Sequence, residues 1–239
     1  MLASMRVIVF ASQKGGSGKT TLSGHVAVEA GRAGAGPVAL IDTDPQGSLA
    51  KWWNVRQDPH PAFIQSVFSN LFQDLDRARD EGFRLVVIDT PPAVTRAISE
   101  VVNFADLVVA PTRPSPHDLR AVGPTVDIAQ ARNKALVFVV NGATPKARIT
   151  SEAAIALSQH GTVAPTVIHH RVDYAAAMID GRTVMEIDPY CKSAQEIAEL
   201  WQYLDQRLKR AEGGYRAPED ANAAAVAREN RVFGRRAAQ

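Results

Sequence analysis

The sequence holds one cysteine, Cys191, in 239 residues. A lone thiol excludes an internal disulfide, and it excludes a zinc or iron–sulfur centre built from several cysteines of one chain. Long apolar runs are missing as well: none approaches the ~20 residues that a membrane-crossing helix needs. The opening MLASMRVIVFA has too short an apolar part for a signal peptide and leads straight into a glycine-rich turn. It reads as a first strand, and the expected location is the cytoplasm. No strong overall charge exists either, since the formal net charge is +2. Its distribution is uneven. Arg207 to Gln239 hold eight Lys and Arg against four Asp and Glu, which leaves residues 1–206 with an excess of two negative charges. A basic end of this kind is either a nucleic-acid footprint or a solvated last helix and tail.

What is present is an alternation. Short apolar, β-branched runs at 6–11, 37–42, 84–90, 106–112, 135–141 and 162–168 are separated by helix-forming stretches at 19–32, 67–80, 95–104, 117–132, 150–160 and 193–210. Continuous apolar runs fit strands buried on both faces. The expected fold is therefore α/β, a mostly parallel twisted sheet with helices on both faces. Residues 1–210 read as one domain of this kind. Residues 211–239, rich in Ala, Gly and charge, read as a flexible basic tail.

In such sheets ligands bind at the carboxyl ends of the strands, and the suggestive residues fall there. After the first strand comes SQKGGSGKTT (12–21). Its end matches the phosphate loop G-x-x-x-x-G-K-[ST], but Gln13 stands where that pattern opens on glycine, and an additional lysine, Lys14, follows. A glycine turn between strand and helix leaves backbone N–H groups free for phosphate oxygens, helped by the helix dipole. Gly15, Gly16, Ser17, Gly18, Lys19, Thr20 and Thr21 are the expected nucleotide-binding residues. Lys19 is placed for the β/γ-phosphates and the Thr20 hydroxyl for Mg²⁺. The second strand ends in Asp42, with Asp44 just beyond it (IDTDPQGS), and the third ends in Asp89 (VVIDTPPA), a carboxylate suited to hold Mg²⁺ directly or through water.

KGGSGKTT, DTDPQGS and VVIDTPPA, in that order, resemble the signature-lysine Walker A, switch I and Walker B segments of the ParA/MinD group of P-loop ATPases. That resemblance implies ATP and Mg²⁺ as ligands and an ATP sandwich homodimer, in which Lys14 crosses to the phosphates of the partner subunit. It further implies Asp44 as the residue that orients the attacking water, with Asp42 and Asp89 supporting the metal and Lys14 and Lys19 stabilising charge in transfer. Asn141 matches an asparagine that such proteins place near the adenine; as a bare residue at a strand end, it is equally a turn former.

Among branches of the group, nitrogenase-type and paired-cysteine pump types do not fit one cysteine. A tyrosine-cluster kinase does not fit a tail whose one tyrosine is Tyr215. The tail's apolar surface, Val226 and Phe233 with Asn230 between them, is too small for a membrane-seeking helix of the MinD kind. The reading that remains is a small ParA-type positioning ATPase. By resemblance it binds double-stranded DNA non-specifically when ATP-bound, associates with the nucleoid in that state, and releases when an adaptor protein stimulates hydrolysis. Arg171, Lys192, Arg207, Lys209 and Arg210 are the candidate DNA contacts. For the last three the alternative is a helix C-terminus complementing its own dipole. A MinD-like membrane regulator and a metabolic P-loop enzyme are the competing readings. Trp52 and Trp53 are expected either in the packing or at a partner contact, and His169 and His170 as loop residues.

Overall fold

A computed structural model describes residues 5–93 and 96–210; the 211–239 tail lies outside the described residues. Eight parallel strands run β1 (Arg6–Phe10), β2 (Val38–Asp42), β3 (Ala62–Phe63), β4 (Leu85–Asp89), β5 (Leu107–Thr112), β6 (Leu136–Ala143), β7 (Thr162–Val163) and β8 (Ile168–His169). Their order is β3-β2-β4-β1-β5-β6-β7, with β8 also on β6. The helices are α1 (Lys19–Arg32), α2 (Ser48–Val55), α3 (Leu71–Asp80), α4 (Arg96–Asn103), α5 (Pro116–Arg120), α6 (Gly123–Ala131), α7 (Arg148–Ser158), α8 (Val172–Met178), α9 (Val184–Ile187) and α10 (Lys192–Arg210).

Side chains alternate across a strand, so each central strand feeds two cores. Ile8 and Phe10 pack with Leu22 and Val26 of α1 and with Ile197, Leu200 and Leu204 of α10. Val7 and Val9 pack on the opposite face with Leu71 and Leu75 of α3 and Ile98 and Val101 of α4. The expected strands and helices are present at their expected places, with two divisions. The helix read over 117–132 is α5 and α6: α5 ends at Arg120, and a new helix starts at Gly123 with Pro124 in its first turn. The strand read over 162–168 is two two-residue strands, each paired to a different part of β6. Four short elements, α2, β3, α8 and α9, carry no periodic signal long enough to read.

Register sets the site. Asp42 lies opposite Asp89, and Phe10 lies opposite Asp89 on the other side. The chain after β1 and the two carboxylate-bearing strand ends therefore emerge level with one another.

Helix α1 carries a fully buried imidazole. His25 Nδ1 lies 2.8 Å from the Thr21 carbonyl oxygen, and Val184 N–H donates to Nε2 at 3.3 Å. These bonds use one donor and one acceptor, which only the neutral ring offers. Burial pulls the pKa from its ordinary 6.5 to about 4, against the opposing pull of the Thr21 carbonyl and the charge of Glu186. The unfolded chain takes up this proton first as pH falls. Stability is therefore fully present above about 7 and declines between about 6.5 and 4, by roughly 3 kcal/mol in all. Carboxylates titrate in the same window, so the measurement is a difference. Urea midpoints of wild type and His25→Gln should converge as pH is lowered from 7 to 4. Parallel curves would place the acid sensitivity elsewhere.

Candidate functional site

The chain between β1 and α1 is an open turn. Gly16 and Gly18 hold φ of 72° and 100°, a left-handed conformation that suits glycine. A Cβ on Gly18 would also sit 2.1 Å from Asn141 Nδ2. Among the described residues, no hydrogen bond uses the N–H groups of Gly15, Gly16, Ser17 or Gly18 as donors, and the buried Ser17 Oγ has no partner there either. Unpaired donors gathered at the start of a helix form an anion cradle.

The two lysines of this turn are placed differently. Lys19 is buried, and its Nζ donates to the carbonyl oxygens of Ser12 (3.2 Å) and Lys14 (3.4 Å). Burial lowers its pKa, while Asp89 and Asp44 pull it back up. Lys14 is exposed at the mouth, and its side chain has no partner within the described residues. Thr21 is half-buried in the first turn of α1.

Below the turn, Thr20 Oγ1 donates to Asp89 Oδ2 at 2.6 Å. Asp89 is 1% exposed. Burial, together with Asp42 and Asp44, pushes its pKa up to about 7 against the pull of Thr20 and Lys19. A buried carboxylate this short of positive charge, touching a threonine hydroxyl, suits a divalent cation. Among the described residues no three His, Cys, Asp or Glu gather as a metal cage. That agrees with Mg²⁺, which takes one or two protein oxygens and fills its remaining positions with water and phosphate.

Asp42 has other work. Its Oδ2 accepts from Leu49 N (2.9 Å) and Ala50 N (3.0 Å) and its Oδ1 from Asp44 N (3.0 Å). It caps α2, whose own N-cap, Gly47, offers no side chain, and it fixes the turn that carries Asp44. Asp44 Oδ1 accepts from Gln46 N at 2.9 Å and the carboxylate stays half-exposed toward Lys19.

Asn141 Nδ2 donates to the Ser17 carbonyl at 2.6 Å, so it braces the glycine turn from β6. Trp52 and Trp53 are packing residues. Trp52 is buried against Gly24 of α1 and bonds the Arg182 carbonyl. Trp53 bonds the Pro61 carbonyl and stacks on Phe63. His169 belongs to β8 and bonds Glu196 at 2.8 Å through Nδ1, whereas His170 follows it, exposed.

The candidate DNA contacts do not form one cluster. Arg171 is tied to Glu196 at 2.7 Å. Lys192 opens α10, while Arg207, Lys209 and Arg210 close it, roughly 25 Å away along the helix axis. Lys209 also pairs with Asp205 at 2.6 Å. Two arginines that sequence reasoning passed over matter more to this region. Arg113 stands beside the glycine turn, signalled only by its place at a strand end in PTRPSP. Arg56 closes α2 and has no sequence signal of its own.

Comparison with known proteins agrees with this geometry. The family model for the CobQ/CobB/MinD/ParA nucleotide binding domain matches residues 8–200. The chain is 29% identical to the maintenance of carboxysome distribution protein A of Halothiobacillus neapolitanus, over 83% of this chain and 94% of that protein. It is 27% identical to the chromosome-partitioning ATPase Soj of Thermus thermophilus, over 87% of this chain and 99% of that protein. In fold it is similar to the solved apo McdA of Cyanothece, with a TM-score of 0.70 at 17% identity, over 85% of this chain and 99% of that one.

Proposed function

The chain belongs to the CobQ/CobB/MinD/ParA nucleotide-binding family, and from that premise we propose that it is a cargo-positioning ATPase of the small ParA type. It binds ATP, pairs with a second copy, holds non-specific DNA in that state and lets go after hydrolysis. The observation that carries this reading is the division of labour between the two lysines: Lys19 buried in the loop, Lys14 exposed at its mouth.

The free N–H groups of Gly15 to Gly18 take the phosphate oxygens. Lys19 exchanges its two carbonyl acceptors for phosphate, a stronger, charge-assisted partner. Thr20 and Asp89 hold Mg²⁺, which neutralises charge on the phosphate tail. Asp44, fixed by Asp42, orients the attacking water and accepts its proton. Lys14 has no acceptor in its own loop and reaches the phosphates of the partner subunit, so the nucleotide becomes part of the dimer interface. Loss of the terminal phosphate removes the differential binding that holds the pair together. Unassisted turnover is slow, and an adaptor protein accelerates it. The cargo is of the kind named for relatives, a chromosome, a plasmid or an assembly such as the carboxysome.

The test is fluorescence anisotropy of a random-sequence DNA duplex titrated with protein without nucleotide, with ADP and with ATP-Mg²⁺, at two salt concentrations. Tight binding is expected with ATP only, weakening steeply with salt as phosphate contacts require. Lys14→Ala should retain ATP and lose the ATP-dependent DNA binding with the dimer. Absence of DNA binding in every state would remove DNA as the track and turn attention to lipid vesicles.

A further inference from the structure

We propose that Arg113 is a third phosphate-facing cation of the site and grips the terminal phosphate of the bound nucleotide. The inference rests on the reading of the glycine turn as a triphosphate site.

Its position comes from the sheet. Strand β5 pairs with β1 through Phe10 and Val109, and Ala11 N–H, at the start of the glycine turn, donates to the Val109 carbonyl at 3.0 Å. Arg113 is the first residue beyond β5 and so leaves the sheet beside that turn. Its stem runs along Gly142, with Cγ and Nε each 3.7 Å from where a Cβ there would sit. Its terminal nitrogen lies 3.8 Å from the corresponding point on Gly16. The backbone around it is stiff. Pro111, Pro114 and Pro116 flank it, Ser115 N–H donates to the Arg113 carbonyl at 2.8 Å, and Ser115 caps α5.

Among the described residues, the Arg113 side chain stands without a counter-charge. Arg56, Arg171 and Arg182 are each tied to a carboxylate. The Arg113 guanidinium has no hydrogen-bond acceptor and no ion pair among the described residues. Its neighbours are the unpaired N–H groups of the turn, the positive end of α1, and the loop that carries Lys14 and Lys19. An exposed, unpaired cation in such company is free to meet a polyanion. The planar fork of an arginine then matches phosphate oxygens in pairs. Within the turn, Ser17 and Lys19 are buried whereas Gly15 and Gly16 face solvent. Arg113 lies over Gly16, at the open end, which assigns it to the outermost phosphate.

Isothermal titration of the full chain with a non-hydrolysable ATP analogue and with ADP, both with Mg²⁺, tests this. Arg113→Ala should weaken the ATP analogue by about tenfold or more and ADP by less than about threefold, as loss of one charge-assisted contact to the last phosphate requires. Arg113→Lys, which keeps the charge and loses the fork, should recover part of the difference. Equal weakening of both nucleotides, or none, would overturn the assignment while leaving the loop intact as a nucleotide site. Wild-type protein that binds neither nucleotide would overturn the reading of the loop and this inference with it. Thermal midpoints of both variants accompany the titrations. Should Arg113→Ala fail to fold, Arg113→Lys and Arg113→Gln decide by the same ATP-to-ADP ratio.

Discussion

Asp44→Ala protein is expected to bind ATP as wild type does and to hydrolyse it about 100-fold more slowly or worse, the usual loss when a positioned base is removed. The separation of binding from turnover follows from the geometry. The groups proposed to hold the phosphates, the glycine N–H groups and Lys19, and the Thr20–Asp89 pair proposed for Mg²⁺ do not lean on the Asp44 side chain for their place. The Asp44 carboxylate makes one hydrogen bond, to Gln46 N within its own turn, and its backbone N–H keeps its bond to Asp42 when the side chain is cut. The turn therefore survives the substitution and the water loses its partner. With hydrolysis stalled, the ATP-bound form accumulates. Light scattering should show a persistent dimer, and the DNA complex should outlive that of wild type. Single-turnover kinetics checks the first claim directly. An Asp44→Ala protein that cleaves ATP at the wild-type rate would remove the residue from the reaction.

The sequence made the main features of this site readable because they lie in continuous segments. The glycine turn, Lys19 and Thr20 announce themselves through a spacing that backbone chemistry requires, Lys14 through a family resemblance and Asp89 through its place at a strand end, and the five apolar runs up to residue 141 announce the sheet that levels them. What the sequence concealed depends on distant partners. That Asp42 also caps α2 and fixes the Asp44 turn shows only in its bonds from Leu49, Ala50 and Asp44. Asn141 looks like a base contact or a turn former until its amide is found bracing Ser17, 124 residues away in sequence. Arg171 looks like a free cation until Glu196 is seen to bind it. The short elements α2 and α9 were illegible for a related reason. They owe their order less to their own periodicity than to one buried group, Arg56.

Arg56→Ala is expected to cost about 3–5 kcal/mol of stability, the range for removing one partner of a buried ion pair. The Arg56 side chain is 2% exposed. Its two terminal nitrogens meet Glu186 at 2.8 and 2.5 Å, and further bonds reach the carbonyls of Gly181 and His60, both at 2.8 Å. Its charge also lies over the Trp52 ring, 5.4 Å from the centroid. Burial alone would raise the Glu186 pKa. Hydrogen bonds from Arg56 and Thr183 reverse that and hold it below the usual carboxylate range. Alanine at 56 removes those bonds together and leaves a shielded carboxylate beside two unpaired carbonyls. Gly181 adds a steric lock: at φ 81°, a Cβ there would stand 2.4 Å from Arg56 Cα, so neither segment has room to slide. For a domain of this size the loss corresponds to a fall in Tm of about 10 °C or more, measurable by scanning calorimetry. Replacing both Arg56 and Glu186 by Met and Leu should restore much of it, since an apolar pair leaves no charge stranded. A functional consequence goes with it. Helix α2 runs from the Asp44 turn to Arg56, so a double variant that regains stability without the ion pair holds α2 less firmly at its far end. Such a protein should bind ATP normally through Lys19 and turn over more slowly through a looser Asp44. Full recovery of turnover along with stability would confine Arg56 to the fold.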